Sequence, residues 1–300
     1  MNKAYIIKFC EEFDYPEEAV KTLCDAADFV ENEPTLCKMF EDFLDDYNTD
    51  KAPDPTAHFT EMTAYARSLT AFPYESVDLL FYVLHAEHLE EVYEKAGLSR
   101  DLWHNAMNDL YYKMVECHDC KGIWGTFVGH WFPEFFSLKR VALGRLQYQP
   151  NYLTEDIKTQ DGKYELKKGQ IFIDTHIPSS GKLDIGDVKA SLKMATEYFG
   201  DKFEGDHVWF GCESWLLFDK HREWLPATSG IVQFMDLFSL GIVFEVNPSN
   251  DLWRIFNTFE TSSADRHKLP EDTLLRRKYK DFLTAGGKQG SAFGIIKMMK

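Results

Sequence analysis

Over residues 1–138 apolar positions recur at intervals of three and four, the spacing of one helix face. Asp14-Tyr15-Pro16-Glu17 reads as an N-cap with an acidic residue three positions on, and predicts a helix burying Val20, Leu23, Cys24 and Ala27. Leu36, Met39, Phe40, Phe43 and Tyr47 form a second stripe. Asp54-Pro55 has the form of a cap followed by proline at the first helical position. Pro73 opens a further helix with Leu80, Val83, Leu84 and Val92 among its apolar positions, and Gly97 closes it. Ser99 caps a helix through Leu102, Trp103, Ala106, Leu110 and Met114, ending near Gly122. Five or six helices with short joints predict a bundle.

The period then changes. Residues Val141–Tyr148 alternate over part of their length, as a strand does, and Gln170–Ile177 is a second β-rich run. Tyr164–Leu166 is expected to pair nearby after the Asp161-Gly162 turn. Ile185–Phe199 returns to helical spacing and stops at Gly200. Val208–Cys212, Leu240–Val246 and Leu252–Phe259 read as strands, Glu271–Thr284 as a helix, and Phe293–Met298 as a last strand. The expected fold class is α+β, with an N-terminal all-helical domain over 1–138 packed on a mixed α/β domain over 139–300.

Charge sharpens that division. The chain has 300 residues and a formal charge of -16. Residues 1–138 carry 10 Lys and Arg against 27 Asp and Glu, while residues 139–300 carry 23 against 22. No Pro/Gly/Ser linker marks the join, so the halves are expected to pack together. So acidic a chain is not expected to bind nucleic acid, which needs a basic face. Its apolar runs fall short of the ~18 residues that suggest a membrane span. Lys8, Glu11 and Glu12 interrupt the first apolar stretch, so no signal peptide is expected. The expected protein is soluble and cytoplasmic, without nucleic-acid or membrane partners.

Six cysteines are too few for a disulfide scaffold. Cys117 and Cys120 have the spacing of one zinc pair, but no second pair follows, and His85 and His88 sit in an ordinary charged helix. No metal is expected.

The segment Ile173-Asp174-Thr175-His176-Ile177-Pro178-Ser179-Ser180-Gly181-Lys182-Leu183-Asp184 joins a strand to a helix through a short polar turn. A helix start offers unpaired amides and the positive end of its dipole. Small residues at Ser179, Ser180 and Gly181 let a diphosphate approach that backbone, and Lys182 adds a counter-charge. Asp184 is also a good N-cap, so the same letters suit a plain helix start.

Five strings resemble the GNAT-like acyltransferase family, whose members join a helical N-terminal domain to a GNAT-type C-terminal domain. They are Leu143–Tyr148 (LGRLQY), His176–Leu183 (HIPxxGxL), Cys212–Leu217 (CxSWLL), Leu269–Arg277 (LPxxTLLRR) and the glycine-rich ending Gly286–Gly294. The resemblance covers most of residues 123–300 and, more loosely, the helical half. It implies a sheet whose central strand, Ile171–Thr175, splays from its neighbour Val208–Cys212 to admit an acyl-CoA. The widespread signature of Gln or Arg followed by x-x-Gly-x and a small residue is absent from this loop; Gln289–Ala292 comes nearer but precedes a strand.

From the resemblance follow acetyl-CoA or another acyl-CoA as co-substrate, and acyl transfer, acetyl being the expected group, to an amine of a small molecule or peptide by direct attack. Thr175, Ile177, Ser179, Ser180, Gly181 and Lys182 are the expected cofactor contacts. Glu213 and His176 are candidate bases and Ser214 a proton donor to the departing thiolate. Arg145 and Gln147 are candidate acceptor contacts. Cys212 reads as packing, and Arg276 and Arg277 as surface ion pairs. The competing reading is a non-catalytic acyl-CoA or nucleotide-binding module.

Overall fold

A computed structural model describes residues 1–48, 55–245, 252–259 and 264–300. The chain forms two compact units, Met1–Val141 and Ala142–Lys300.

The first unit is helical: α1 (Lys3–Glu12), α2 (Glu17–Asn32), α3 (Pro34–Asn48), α4 (Pro55–Ser68), α5 (Tyr74–Lys95), α6 (Arg100–Lys121) and the short α7 (Pro133–Phe136). Helix α5 lies at its centre. Val77, Leu79, Leu80, Phe81, Tyr82, Val83, Ala86 and Leu89 are all buried, so it lacks the single stripe of a surface helix. Ser99 caps α6 by accepting the Leu102 amide, and Gly122 ends it in the left-handed conformation only glycine adopts cheaply. The start of α2 departs from expectation. Pro16 occupies the cap position and makes no side-chain bond, while Asp14 sits at φ 53° in the preceding turn. Asp54 lies outside the described residues.

His85 faces the core. One ring nitrogen lies 2.6 Å from the Phe81 carbonyl and the other 3.2 Å from that of Phe40, and burial lowers its pKa to about 4. Asp78, on the same helix, is also buried and accepts from Thr63 Oγ1 at 2.8 Å. Burial pushes its carboxyl up to about 8.

The second unit carries β1 (Val141–Leu143), β2 (Leu146–Tyr152), β3 (Ile157–Lys158), β4 (Glu165–Leu166), β5 (Ile171–His176), α8 (Ile185–Phe199), β6 (His207–Ser214), α9 (His221–Trp224), α10 (Gly230–Met235), β7 (Ser239–Glu245), α11 (Leu252–Phe256), α12 (Leu274–Thr284) and β8 (Gly290–Met299). Six strands form one sheet in the order β1-β2-β5-β6-β8-β7, and β3 and β4 pair separately. The β5–β6 ladder is parallel, whereas β2–β5, β6–β8 and β7–β8 are antiparallel. A parallel pair needs a long crossover, and α8 supplies it. One face of the sheet packs on α8 through Val188, Leu192, Ala195 and Phe199. On the other, Leu153, Ile157, Leu166, Phe172 and Ile295 form a core under the β3–β4 hairpin.

Two expectations for this half are corrected. Val141–Tyr148 is not one strand: the chain turns at Gly144, φ 67°, and Arg145, and resumes as β2. Leu252–Phe256 is a helix, not a strand. Its buried residues, Leu252, Trp253, Ile255 and Phe256, have the three-and-four spacing of a helix, and Leu252, Ile255 and Phe256 pack with Tyr279 and Leu283 of α12. β-Branched and aromatic composition suggested a strand, and periodicity decided otherwise.

The buried carboxyl in α5 gives a pH-dependent prediction. A group whose folded pKa is raised contributes stability that is present below its unfolded value, near about 4, and lost as pH rises through about 8. Asp78→Asn stays neutral throughout. It should therefore gain on wild type as pH rises from about 4 to 8, and the gap should level above that, as read by urea midpoints followed by helical circular dichroism.

Candidate active site

The two central strands part company before they end. The parallel ladder runs through Ile173–Phe210 and Asp174–Gly211. Beyond it, β5 continues to His176 while still paired with β2, through Thr175–Tyr148 and His176–Gln147. β6 continues to Ser214 while still paired with β8, through Cys212–Gly294, Glu213–Phe293 and Ser214–Ala292. Each strand keeps its antiparallel neighbour and loses its parallel one. Pro178 then removes a backbone donor just past β5, and Ser214 turns β6 into a 3-10 turn by accepting the Leu216 amide at 3.1 Å. The β5–β6 ladder is thus only two pairs long, and the stretch past Asp174 and Gly211, where no ladder pair joins the ends of the two strands, is here called the wedge.

Gly211 stands at the fork of that wedge. A Cβ built there would lie 2.6 Å from the Phe172 ring and 2.8 Å from that of Phe293, so the rings close over the backbone.

Strand alternation sorts the side chains. Thr175 and Cys212 are buried. Tyr148, the register partner of Thr175, bonds Ser191 of α8 at 2.8 Å, which assigns that face to the helix. Burial, and then the carboxylates of Asp174 and Glu213, raise the Cys212 thiol well above its usual value, which suits a packing group. The opposite face is polar. It collects His176 and Asp174 from β5 with their register partners Gln147 and Gln149 from β2. His176 Nε2 lies 3.7 Å from Asp174 Oδ2, and Asn151 Nδ2 donates to the same oxygen at 3.4 Å. Gln147 is buried, and both His176 and Asp174 keep 19% of their side chains exposed. Glu213 is exposed, on the far strand of the wedge. Ser214 is half-buried, and its oxygen caps the turn while its O–H remains available to give.

Asp174 and Gln149 were not singled out as site residues in the sequence. The signal for Asp174 was its place two residues before His176 on a strand, which sets both on one face. Gln149 could be found only through the β2–β5 register.

The loop after β5 differs in two respects from a bare helix start. Asp184 accepts from the amides of Gly186 at 2.8 Å and Asp187 at 3.3 Å, so α8's own cap already satisfies part of its first turn. An anion here would have to meet the earlier amides of Ser179–Lys182. Ser179, Gly181 and Lys182 are exposed, Ile177 and Ser180 half-buried, and Gly181 takes φ 84° with open space around it. Arg145 lies beside this loop. Its guanidinium donates to the carbonyls of Pro178 at 2.9 Å and Gly181 at 3.2 Å, because the β1–β2 turn places it beside the loop. Arg276 is held by Asp272 and the Ile255 carbonyl, and Arg277 by the Glu271 carbonyl.

Among the described residues no three His, Cys, Asp or Glu side chains gather as a metal site. Nor is any described helix long and apolar enough to cross a membrane.

A mixed sheet split between two parallel central strands, with a strand–loop–helix crossover at the mouth of the split, is an architecture that can hold an extended ligand by its backbone. Comparison with known proteins gives it a family. Residues 141–296 match the GNAT-like C-terminal domain, and residues 4–138 match the N-acyltransferase N-terminal domain. No curated protein sequence matches significantly. The fold is similar to a crystal structure of an acyltransferase in complex with decanoyl-CoA and teicoplanin, with TM-score 0.71, 18% identity, and coverage of 97% of this chain and 87% of that one. An acyltransferase mutant in complex with octanoyl-CoA gives TM-score 0.70, 17% identity, and coverage of 97% and 87%. An acyltransferase in complex with CoA and 10C-teicoplanin gives 0.60, 17%, and coverage of 97% and 99%. The chain belongs to the GNAT-like acyltransferase family, with its helical N-terminal domain, and it is an acyltransferase.

The fork makes a direct test. Gly211→Ala should destabilise the second unit by about 1–3 kcal/mol, because two aromatic rings must move to admit one methyl group. Denaturant unfolding followed by tryptophan fluorescence reads the loss.

Proposed function

We propose that the protein transfers an acyl group from an acyl-CoA to a primary amine on a small molecule or peptide, by direct attack in the wedge between β5 and β6. The divergence of these strands past Asp174 and Gly211 carries the proposal. Two strand ends that no longer pair with each other suit the amides of a pantetheine arm, much as a peptide adds to a sheet edge. The decanoyl-CoA and octanoyl-CoA complexes of two similar solved structures, and the CoA complex of a third, support the same donor class. At the mouth, the amides of Ser179–Lys182 and the ammonium of Lys182 meet the diphosphate, and Thr175 and Ile177 flank the arm.

The chemistry then follows from proton accounting. The acceptor nitrogen attacks the thioester carbonyl, whose oxygen is polarised by an amide on the freed edge of β5. His176, with Asp174 beside it, takes one proton from the acceptor ammonium to free the attacking lone pair, and the second proton leaves the nitrogen for solvent as the amide forms. Gln147 and Gln149 orient the acceptor on the same polar face. The C–S bond breaks, and Ser214 gives its hydroxyl proton to the departing thiolate and regains one from solvent. Glu213, exposed across the wedge, attracts the cationic acceptor. Most of the acceleration comes from holding the two reactants in register. The sequence implied an acetyl group, whereas the solved relatives hold octanoyl and decanoyl groups, so acyl length is the first variable to assay. Cytoplasmic residence suits this activity, and it agrees with six free thiols.

Free thiol is followed with acetyl-, octanoyl- and decanoyl-CoA against a panel of amines. Amine-dependent release above the protein-free rate is expected with at least one donor. His176→Ala should lower kcat by about 10²–10⁴-fold, the usual contribution of a positioned base. Saturable CoA binding without turnover on any pairing would leave only a binding module.

A further inference from the structure

The base of the wedge is aromatic on one face of the sheet. Phe172, Asp174 and His176 alternate along β5 on that face, and Asp174 is the ladder partner of Gly211. On the other side, the β6–β8 register sets Gly211 opposite Ile295 and Glu213 opposite Phe293. Glycine leaves a place open between these neighbours. The Phe172 ring from one side and the Phe293 ring from the other fill it, 2.6 and 2.8 Å from where a Cβ would stand. The two rings meet edge to face with centroids 5.8 Å apart. They therefore span the sheet at its last parallel ladder pair, where the wedge begins.

The rings are held unequally. Phe172 is buried in a cluster with Leu153, Ile157, Leu166 and Ile295 under the β3–β4 hairpin. Phe293 is half-buried and packs on the edge of that cluster. The opposite face is closed by packing. There Tyr148 is tied to Ser191 at 2.8 Å and meets the Phe210 ring, and Phe210 and Cys212 are buried. An alkyl chain leaving a thioester held past Asp174 and Gly211 thus has its apolar surface on the Phe172–Phe293 side, and the rings stop it there.

We propose that Phe172 and Phe293 are specificity-determining residues that gauge the acyl chain of the donor, closing the base of the wedge to all but short acyl groups. This rests on the acyl-CoA assignment above and deepens it by naming the donor class, a short-chain acyl-CoA. A close-packed interior yields poorly to added volume, so each methylene past the limit has to displace a ring. Phe293 is the ring that can be cut back, since Phe172 is locked under the hairpin. The gauge sets this chain apart from the similar structures that hold octanoyl-CoA and decanoyl-CoA.

The test measures kcat/KM with acetyl-, butyryl-, octanoyl- and decanoyl-CoA, using the amine that gives the fastest thiol release, for wild type, Phe293→Leu and Phe293→Ala. Wild type should prefer the better of the two short donors over octanoyl-CoA by at least about 10-fold, the discrimination that one misfitting methylene already yields. Phe293→Ala should raise the octanoyl-to-short ratio by about 10-fold or more. Phe293→Leu should fall between, and it carries the same comparison if the alanine variant does not fold. The ratio is the readout because a merely structural loss lowers both donors alike. A wild type that uses octanoyl- or decanoyl-CoA as well as the short donors overturns the gauge, and so does a ratio that neither variant moves. Both outcomes leave the acyl-CoA reading standing. If the protein binds CoA without turnover, calorimetric Kd values for the same four donors make the same comparison, with the same ratios deciding it. Neither turnover nor CoA binding would sink the acyl-CoA reading itself, and the gauge with it.

Discussion

The second unit depends on one constraint: every backbone group of a sheet interior needs a partner, and two central strands decline to be each other's. Past Asp174 and Gly211 the parallel ladder stops, yet β5 and β6 remain anchored by β2 and β8. Unpaired buried amides and carbonyls are costly. A strand pair that stops pairing while its outer neighbours hold each strand in place suits something that hydrogen-bonds like a strand. Gly211 makes the fork possible, because two phenylalanine rings lie where any side chain would stand.

Around the wedge the polar groups divide by face. One side of the wedge is sealed against α8 by Thr175, Cys212, Tyr148 and Ser191. The other presents Gln147, Gln149, Asp174 and His176 together, with Glu213 across the gap. A dry face and a proton-handling face back to back suit a reaction in which the donor is buried and the acceptor arrives from water. The loop at the mouth follows the same economy. Asp184 secures the helix, and Arg145 secures the turn.

Much of this was legible in the sequence. The change of period near residue 140, the strand–loop–helix at Gln170–Phe199, and the strand at Val208–Cys212 could be read from spacing and caps, because each encodes its own local geometry. What could not be read was register. That Gln149 lies opposite Asp174, or that Arg145 reaches Pro178, is fixed by pairing between segments distant in the chain. Locally ambiguous letters failed for the same reason. Leu252–Phe256 has strand composition with helix spacing, and its burial against α12 selected the helix. Asp14 has the letters of a cap, but the turn before Pro16 holds it at φ 53°, off the helix end.

Hydrogen exchange on the two strand edges tests the central claim most directly. Amide exchange is compared with and without decanoyl-CoA, over peptides covering 171–184, 207–214 and 290–299. If the co-substrate lies in the wedge, the ligand should slow exchange at Thr175–Lys182 and at Cys212–Ser214. The β8 amides, already tied to β6, should stay as they were. Protection spread evenly over the sheet, or confined to the helical unit, would contradict the assignment of this gap as the acyl-CoA site.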